Sequence, residues 1–234
     1  MKTAANLKRK SCWNPVLFTM PNGEIWLFYK VGSTMDDWTG WVVKPKDGGK
    51  TWGEREALPK GFLGPIKNKP ELVNGRLVCG SSTEGDGWRF HVEILDLKTN
   101  QWKYVGPVDA EKLARTDDVE ATTTDMRHPI YKKGEEAKYI YSIQPSILKL
   151  KDGRLQVLMR THNAKIATSF SSDGGDTWSK VTLLDIENNQ SGTDAVTLKD
   201  GRHVLIYNNF ETLPDTKKGP RTPLSLAISD DGTH

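Results

Sequence analysis

Two arginines, Arg160 and Arg221, three lysines, Lys30, Lys67 and Lys69, and two acids, Glu84 and Asp194, recur at matching places in a repeated strand pattern. Gathered at one rim, the cations would make an anion site. A guanidinium presents a planar fork of donors that fits a carboxylate, and an ammonium adds a mobile point charge. Acids partly withdrawn from water beside such cations are candidates for proton transfer, which places Glu84 and Asp194 as acid/base residues. Asn68, Gln144 and Asn208 occupy corresponding positions with neutral polar groups, and Trp13, Trp38 and Trp88 offer flat faces for a sugar ring.

These positions follow from the spacing of four hairpin turns, Asn22-Gly23, Asn74-Gly75, Asp152-Gly153 and Asp200-Gly201, each set between β-rich runs. Seven residues past each glycine stand Lys30, Ser82, Arg160 and Asn208, the ends of second strands. First strands begin near Trp13-Asn14, Lys67-Asn68-Lys69, Gln144 and Thr193-Asp194; third strands or their loops begin near Asp37, Trp88-Arg89, Lys165 and Arg221. In an antiparallel sheet those three sets of ends share one edge, and the hairpins share the other.

A second recurring feature is an Asp-centred turn: Asp47 to Trp52, Ser171 to Trp178, and Ser229 to Thr233, with a looser version at Asp96 to Trp102. Its Asp and Ser/Thr side chains bond the turn's own amides, and the Trp anchors the loop to the layer beneath. These turns lie at the hairpin edge, so their carboxylates are expected to be structural.

Strand, hairpin, strand, loop, strand, Asp-turn, strand defines one four-stranded antiparallel sheet. The hairpin glycines are separated by 52, 78 and 48 residues. Repeats of this size, each a small sheet with two apolar faces, predict an all-β chain, a β-propeller of four-stranded antiparallel blades. The blades are expected over about 13–60, 66–107, 142–186 and 192–234. The long interval holds an insertion, 108–141, read as a surface loop in which Ala110–Ala114 and Asp117–Ala121 have some capacity for a short helix. The count, three full blades and a fourth ending inside its Asp-turn, is read as about four blades of a six-bladed parent.

Composition narrows the function. The chain has 234 residues, a net charge of +3 and a pI near 8.7. Its basic residues are interleaved with acids, which excludes a nucleic-acid stripe. Cys12 and Cys79 make neither a disulfide framework nor a zinc site, and His91, His162 and His203 lack metal-ligand spacing. No metal or cofactor is expected. No apolar run suggests a signal peptide or membrane insertion. No nucleophile elbow, phosphate loop or dinucleotide fingerprint is present.

The Asp-turns, Trp13-Asn14-Pro15-Val16-Leu17-Phe18 through Lys30, and Gly64 through Pro70 resemble the sialidase (neuraminidase)-like superfamily of Asp-box, or BNR, repeat proteins, in an uncharacterised branch found in bacteria and plants. Gln144-Pro145-Ser146, Ser191 to Val196 and Arg221 to Leu226 fit the same branch. Sialidases clamp a substrate carboxylate with three arginines and use a Tyr nucleophile assisted by Glu, with an Asp acid/base. The resemblance implies that Arg160 matches the second arginine and Arg221 the third. It also implies that the helper Glu is replaced by Gln144. The first arginine and the Asp would precede residue 1, and the Tyr would follow residue 234.

The expected function is therefore part of an exo-acting glycoside hydrolase for a terminal acidic sugar, with Arg160 and Arg221 holding the carboxylate. Two alternatives compete: a non-catalytic, lectin-like glycan-binding propeller, which Gln144 favours, and a scaffold for protein partners.

Overall fold

The computed structural model describes residues 11–45, 47, 50–84, 88–111, 140–210 and 219–232. The chain divides into two compact units, Met1–Gly64 and Pro65–His234. The first holds one antiparallel sheet of β1 (Cys12–Thr19), β2 (Ile25–Val31), β3 (Thr39–Val43) and β4 (Arg55–Ala57), in that spatial order. The second holds three sheets: β5 (Glu71–Val73), β6 (Arg76–Thr83), β7 (Arg89–Asp96) and β8 (Gln101–Val105); β9 (Ser142–Lys149), β10 (Leu155–Thr161), β11 (Lys165–Ser171) and β12 (Thr182–Glu187); and β13 (Asp194–Thr197), β14 (His203–Tyr207) and β15 (Ser225–Ser229). Each sheet runs in simple sequence order, the signature of a propeller blade, and the fold is an all-β propeller type. The only helical element among the described residues is the 3-10 turn Met35–Asp37.

The hairpins form where the Asn-Gly and Asp-Gly pairs predict them. Asn74 and Gly75 both have positive φ, 49° and 76°, as a two-residue turn matched to strand twist demands. The hairpins at Gly153 and Gly201 close alike: each glycine amide bonds the carbonyl three residues back, and an Asp carboxylate accepts the amide two residues on.

Within the second unit the sheets stack face to face, with β9 against β6 and β13 against β9. A strand buried on both faces loses apolar–polar alternation, and β9 is buried from Ser142 to Leu148. One core between the first two sheets joins Val78, Phe90, Val92 and Ile94 to Leu155, Val157, Met159 and Ala167. The next joins Leu148, Leu158 and Ile166 to Leu205 and Tyr207. β6 and β9 approach so closely at Gly80 that a Cβ there would lie 2.7 Å from Pro145 Cγ.

The insertion begins by joining this packing. Val108 N donates to the Phe90 carbonyl, and Asp109 to Glu111 run beside Val181, with a parallel bridge at Ala110. Val108 and Ala110 pack on the first core, so these residues are not a detached surface loop. The remainder of the 108–141 expectation, including most of both candidate helical stretches, lies outside the described residues, apart from Ile140 and Tyr141.

The Asp-turns are structural. In the third sheet, Asp173 accepts from Thr177 N at 2.9 Å and Thr177 Oγ1 at 2.5 Å. The first sheet repeats this with Asp47, at 2.8 Å from Thr51 N and 2.5 Å from Thr51 Oγ1. Trp178 anchors into the neighbouring sheet, edge-on to Phe90 at 5.5 Å, with its indole N–H on the Gly175 carbonyl. Asp176 is gripped across the same interface by Arg76, whose Nη1 lies 2.9 Å from both carboxylate oxygens, and by Lys103 at 2.8 Å.

Burial tends to raise the Asp173 pKa, but the hydrogen bonds from Thr177 and Ser171 outweigh it and hold the group at about 2. A carboxyl depressed on folding stabilises the native state above its ordinary value of 3.8 and loses that contribution as pH falls toward 2. Stability to urea is therefore expected to decline between about pH 4 and pH 2, and Asp173→Asn should flatten that limb. Denaturation series at several pH values test this.

Candidate functional site

At the edge opposite the hairpins, the first strands of the three sheets of the second unit are tied together by polar side chains. Asn68 is the hub. Its Nδ2 donates to the Gln144 carbonyl at 2.9 Å, to Ser146 Oγ at 2.7 Å and to the Thr193 carbonyl at 3.3 Å. Lys67 Nζ donates to Asn68 Oδ1 at 2.9 Å and to the Thr193 carbonyl at 3.0 Å. Ser146 Oγ donates to Asp194 Oδ1 at 3.0 Å, which also accepts from Ala195 N at 2.9 Å. Three neighbouring blades thus meet at Asn68, buried at 4% exposure.

Gln144 enters from a bulge. The register of β9 on β10 slips between Ser146 and Ile143, and Gln144 sits at φ 57°, a sparsely populated region for a side-chain-bearing residue. Pro145 follows, with no amide to give the ladder. The first sheet repeats this at Asn14-Pro15, where Asn14 has φ 44° and β1 slips between Trp13 and Val16. Strain of this kind persists where surroundings enforce it. Here it aims the Gln144 amide between opposite charges: Nε2 donates to Glu84 Oε1 at 3.1 Å, and Oε1 accepts from Arg160 Nη1 at 3.4 Å.

Arg160 is half-buried, and its Nε is buried without a hydrogen-bond partner among the described residues. Burial lowers its pKa to about 10; Glu84 opposes that shift and the charge of Arg221 adds to it. The guanidinium stays cationic at neutral pH, and the described residues leave part of its donor capacity unused. It lies over Trp88 at 4.5 Å from the ring centroid, and His162 stacks on Trp88 at 3.5 Å. Two neighbours thus engage the Trp88 ring at close range. Trp88 is therefore not a free platform for a sugar ring, as its sequence position suggested; it braces Arg160 through a cation–π contact.

Lys67 has its pKa lowered, by burial foremost and by Arg160, while Asp194 raises it. The second unit thus brings together Lys67, Arg160 and Arg221 as cations with Glu84 and Asp194 as acids, one positive charge in excess. Arg221 is exposed on the loop before β15. Asn208 is turned to holding that loop: its amide donates to the Pro223 carbonyl at 3.0 Å. Lys69 is exposed, and among the described residues no hydrogen bond or ion pair ties it to the cluster. Lys30, buried at the end of β2 opposite Gly40 and Trp13, belongs to the first unit, as do Trp13 and Trp38, whose rings lie 5.7 Å apart.

Sequence reasoning missed the parts played by Ser146, His162 and Gln190. His162 Nδ1 lies 3.2 Å from Gln190 Oε1, which fixes the ring under Trp88. Its position two residues beyond Arg160 was the available signal. The two other histidines among the described residues fit structural roles. His91 is buried with Nε2 3.0 Å from Glu93 and stacks on Tyr104, and His203 Nδ1 lies 3.0 Å from Thr197 Oγ1. Among the described residues no cluster of three or more metal-ligating side chains occurs.

Comparison with known families decides the lineage. The family model described as a BNR repeat-like domain matches residues 2–234. The chain belongs to that family. None of the curated proteins matches it. The BNR fold recurs in solved structures of low identity. A protein of unknown function from Dyadobacter fermentans is 19% identical with a TM-score of 0.58, over 84% of this chain and 57% of that one. The α-L-arabinofuranosidase Arb93A of Fusarium graminearum is 15% identical with a TM-score of 0.58, over 95% and 63%. NanB, a sialidase of Streptococcus pneumoniae, is 22% identical with a TM-score of 0.52, over 86% and 27%. At these identities the likeness is one of fold, and the BNR chain spans about three fifths of the first two.

Proposed function

We propose that this BNR chain carries the carboxylate-binding part of a glycoside hydrolase site that takes a terminal acidic sugar. The observation that carries the reading is Arg160. It is a half-buried cation with an unpartnered Nε, braced by Trp88 and lying in the field of Arg221. A buried donor left unsatisfied is costly, and an anionic acceptor would repay it with charge-assisted bonds. Lys67 adds a second half-buried cation on the Asp194 side. Glu84, held by Gln144, and Asp194, held by Ser146, are the acid/base candidates. Support for a sugar as the ligand comes from the hydrolases that share the fold.

The test is calorimetric titration of N-acetylneuraminic acid and glucuronic acid against analogues in which the carboxylate is reduced to an alcohol, paired with hydrolysis of fluorogenic acidic glycosides. Binding only of the acids, with turnover lost in Glu84→Gln or Asp194→Asn, supports the enzyme. Equal affinity for acid and alcohol sinks the arginine reading.

A lectin-like reading is favoured by one observation, the neutral amide of Gln144 between Glu84 and Arg160. Binding of the acids without turnover would select it. Gln144→Glu would set a carboxylate beside Arg160 that competes with the ligand's own and repels Glu84. About a tenfold loss of affinity for the acid is expected, near 1.4 kcal/mol, and titration of the variant checks it.

A further inference from the structure

We propose, within the glycoside hydrolase reading on which this rests, that Asn68 and Ser146 are positioning residues that fix Asp194 as the proton acceptor of the site. They do so through a chain of hydrogen bonds in which every donor points from Lys67 toward Asp194.

The chain crosses three blades, and chemistry sets its direction at each step. An ammonium only donates, a carbonyl only accepts, and a side-chain amide has one end of each kind. Asn68 Oδ1 faces Lys67 Nζ at 2.9 Å, and Asn68 Nδ2 faces the carbonyls of Gln144 at 2.9 Å and Thr193 at 3.3 Å. The amide therefore stands only one way round, and Nδ2 also donates to Ser146 Oγ at 2.7 Å. Ala195 N approaches the same Oγ at 3.0 Å. A hydroxyl has two lone pairs and one hydrogen. Two N–H donors engage the lone pairs, so the hydrogen goes to Asp194 Oδ1 at 3.0 Å. Oδ1 receives the Ala195 amide as well, at 2.9 Å.

An oxygen that already receives two donors is a poor seat for an acid's proton, and hydrogen bonds to a carboxylate favour its charged form. Asn68 and Ser146 are buried, whereas Asp194 is exposed at the start of β13. The locked parts thus end on an accessible carboxylate. Among the described groups, Lys67 couples to Asp194 by charge and Arg160 couples to Lys67. As acceptor, Asp194 takes a proton from a water molecule whose oxygen bonds to the anomeric carbon. The leaving oxygen departs with the electron pair of the broken C–O bond and takes a proton from bulk water.

Carboxyl NMR of the full chain, isotopically labelled at aspartate and with Asp194→Asn to assign the signal, reads the Asp194 titration directly. Its midpoint should rise by about one pH unit in Ser146→Ala, which removes the hydroxyl donor. The near-isosteric Ser146→Cys, whose thiol donates weakly, should shift it about half as far. In kinetics on an acidic glycoside, the limb along which activity rises with pH should move up by the same amounts, because a base must be ionised to accept a proton. A midpoint that stays in place in Ser146→Ala overturns the proposal, as does activity that falls as Asp194 ionises, the mark of a general acid. The NMR titration needs no turnover, so failure to hydrolyse any glycoside strikes the hydrolase reading, while an unmoved midpoint strikes the positioning chain.

Discussion

Arg160→Ala is expected to weaken binding of an acidic sugar about a hundredfold while leaving the protein as stable as before, or slightly more so. The two halves of that expectation have one cause. A charge-assisted hydrogen bond contributes about 1.5–3 kcal/mol, and loss of a desolvated charge partner costs about 2–5 kcal/mol in comparable interfaces. Among the described residues the Arg160 guanidinium makes a 3.4 Å bond to Gln144 and lies over Trp88, while its buried Nε has no hydrogen-bond partner there and Arg221 adds like charge. Under the proposed function it is a cost in the free protein that a carboxylate ligand would relieve. Arg160→Lys keeps the charge and loses the fork and the stack on Trp88, so about a tenfold loss is expected. Titration with N-acetylneuraminic acid, together with thermal melts, checks both variants. A hundredfold loss accompanied by a large drop in melting temperature would instead make Arg160 a structural residue.

Trp178→Ala is expected to destabilise the second unit by about 3 kcal/mol, the low end of the range for deleting a core aromatic, because the indole is partly buried. The ring fills the join between two sheets against Phe90, and its N–H satisfies the Gly175 carbonyl. Removal leaves both a void and an unpaired acceptor. For a unit of this size the loss corresponds to a melting temperature lower by roughly 10 °C. Trp178→Phe keeps most of the volume and should cost less than half as much. Urea denaturation of the two variants measures the difference, and equal stabilities would show that the indole is not the anchor.

The strands and turns were legible in the sequence because each is written locally. Asn74-Gly75 demands two positive φ values, and Asp173 with Thr177 closes its own loop. The regular offset from hairpin glycine to second-strand end placed Arg160 and Gln144 on one edge. What could not be read was contact across blades. Asn68 as the knot of three strands depends on residues 76 and 125 positions away. The doubly engaged Trp88 depends on His162, whose residue type alone says nothing of stacking. Asn208 looked like a ligand contact because polar strand ends usually face water; its proximity to Pro223 comes from a loop path that spacing does not encode. The Asn14-Pro15 and Gln144-Pro145 bulges were visible in hindsight as X-Pro pairs nine residues before a hairpin glycine.

The anchoring turns, with Asp173, Asp176 and Trp178, occupy one edge of the blades, and Lys67, Gln144, Arg160 and Asp194 the other. No bond described above links the two groups directly, and well-separated sites tend to perturb free energy additively. Pairing Trp178→Phe with Arg160→Lys should therefore reproduce the sum of the single effects in both melting and titration. A chain built this way can change the side chains at one edge of its sheets without disturbing the turns that hold them together at the other.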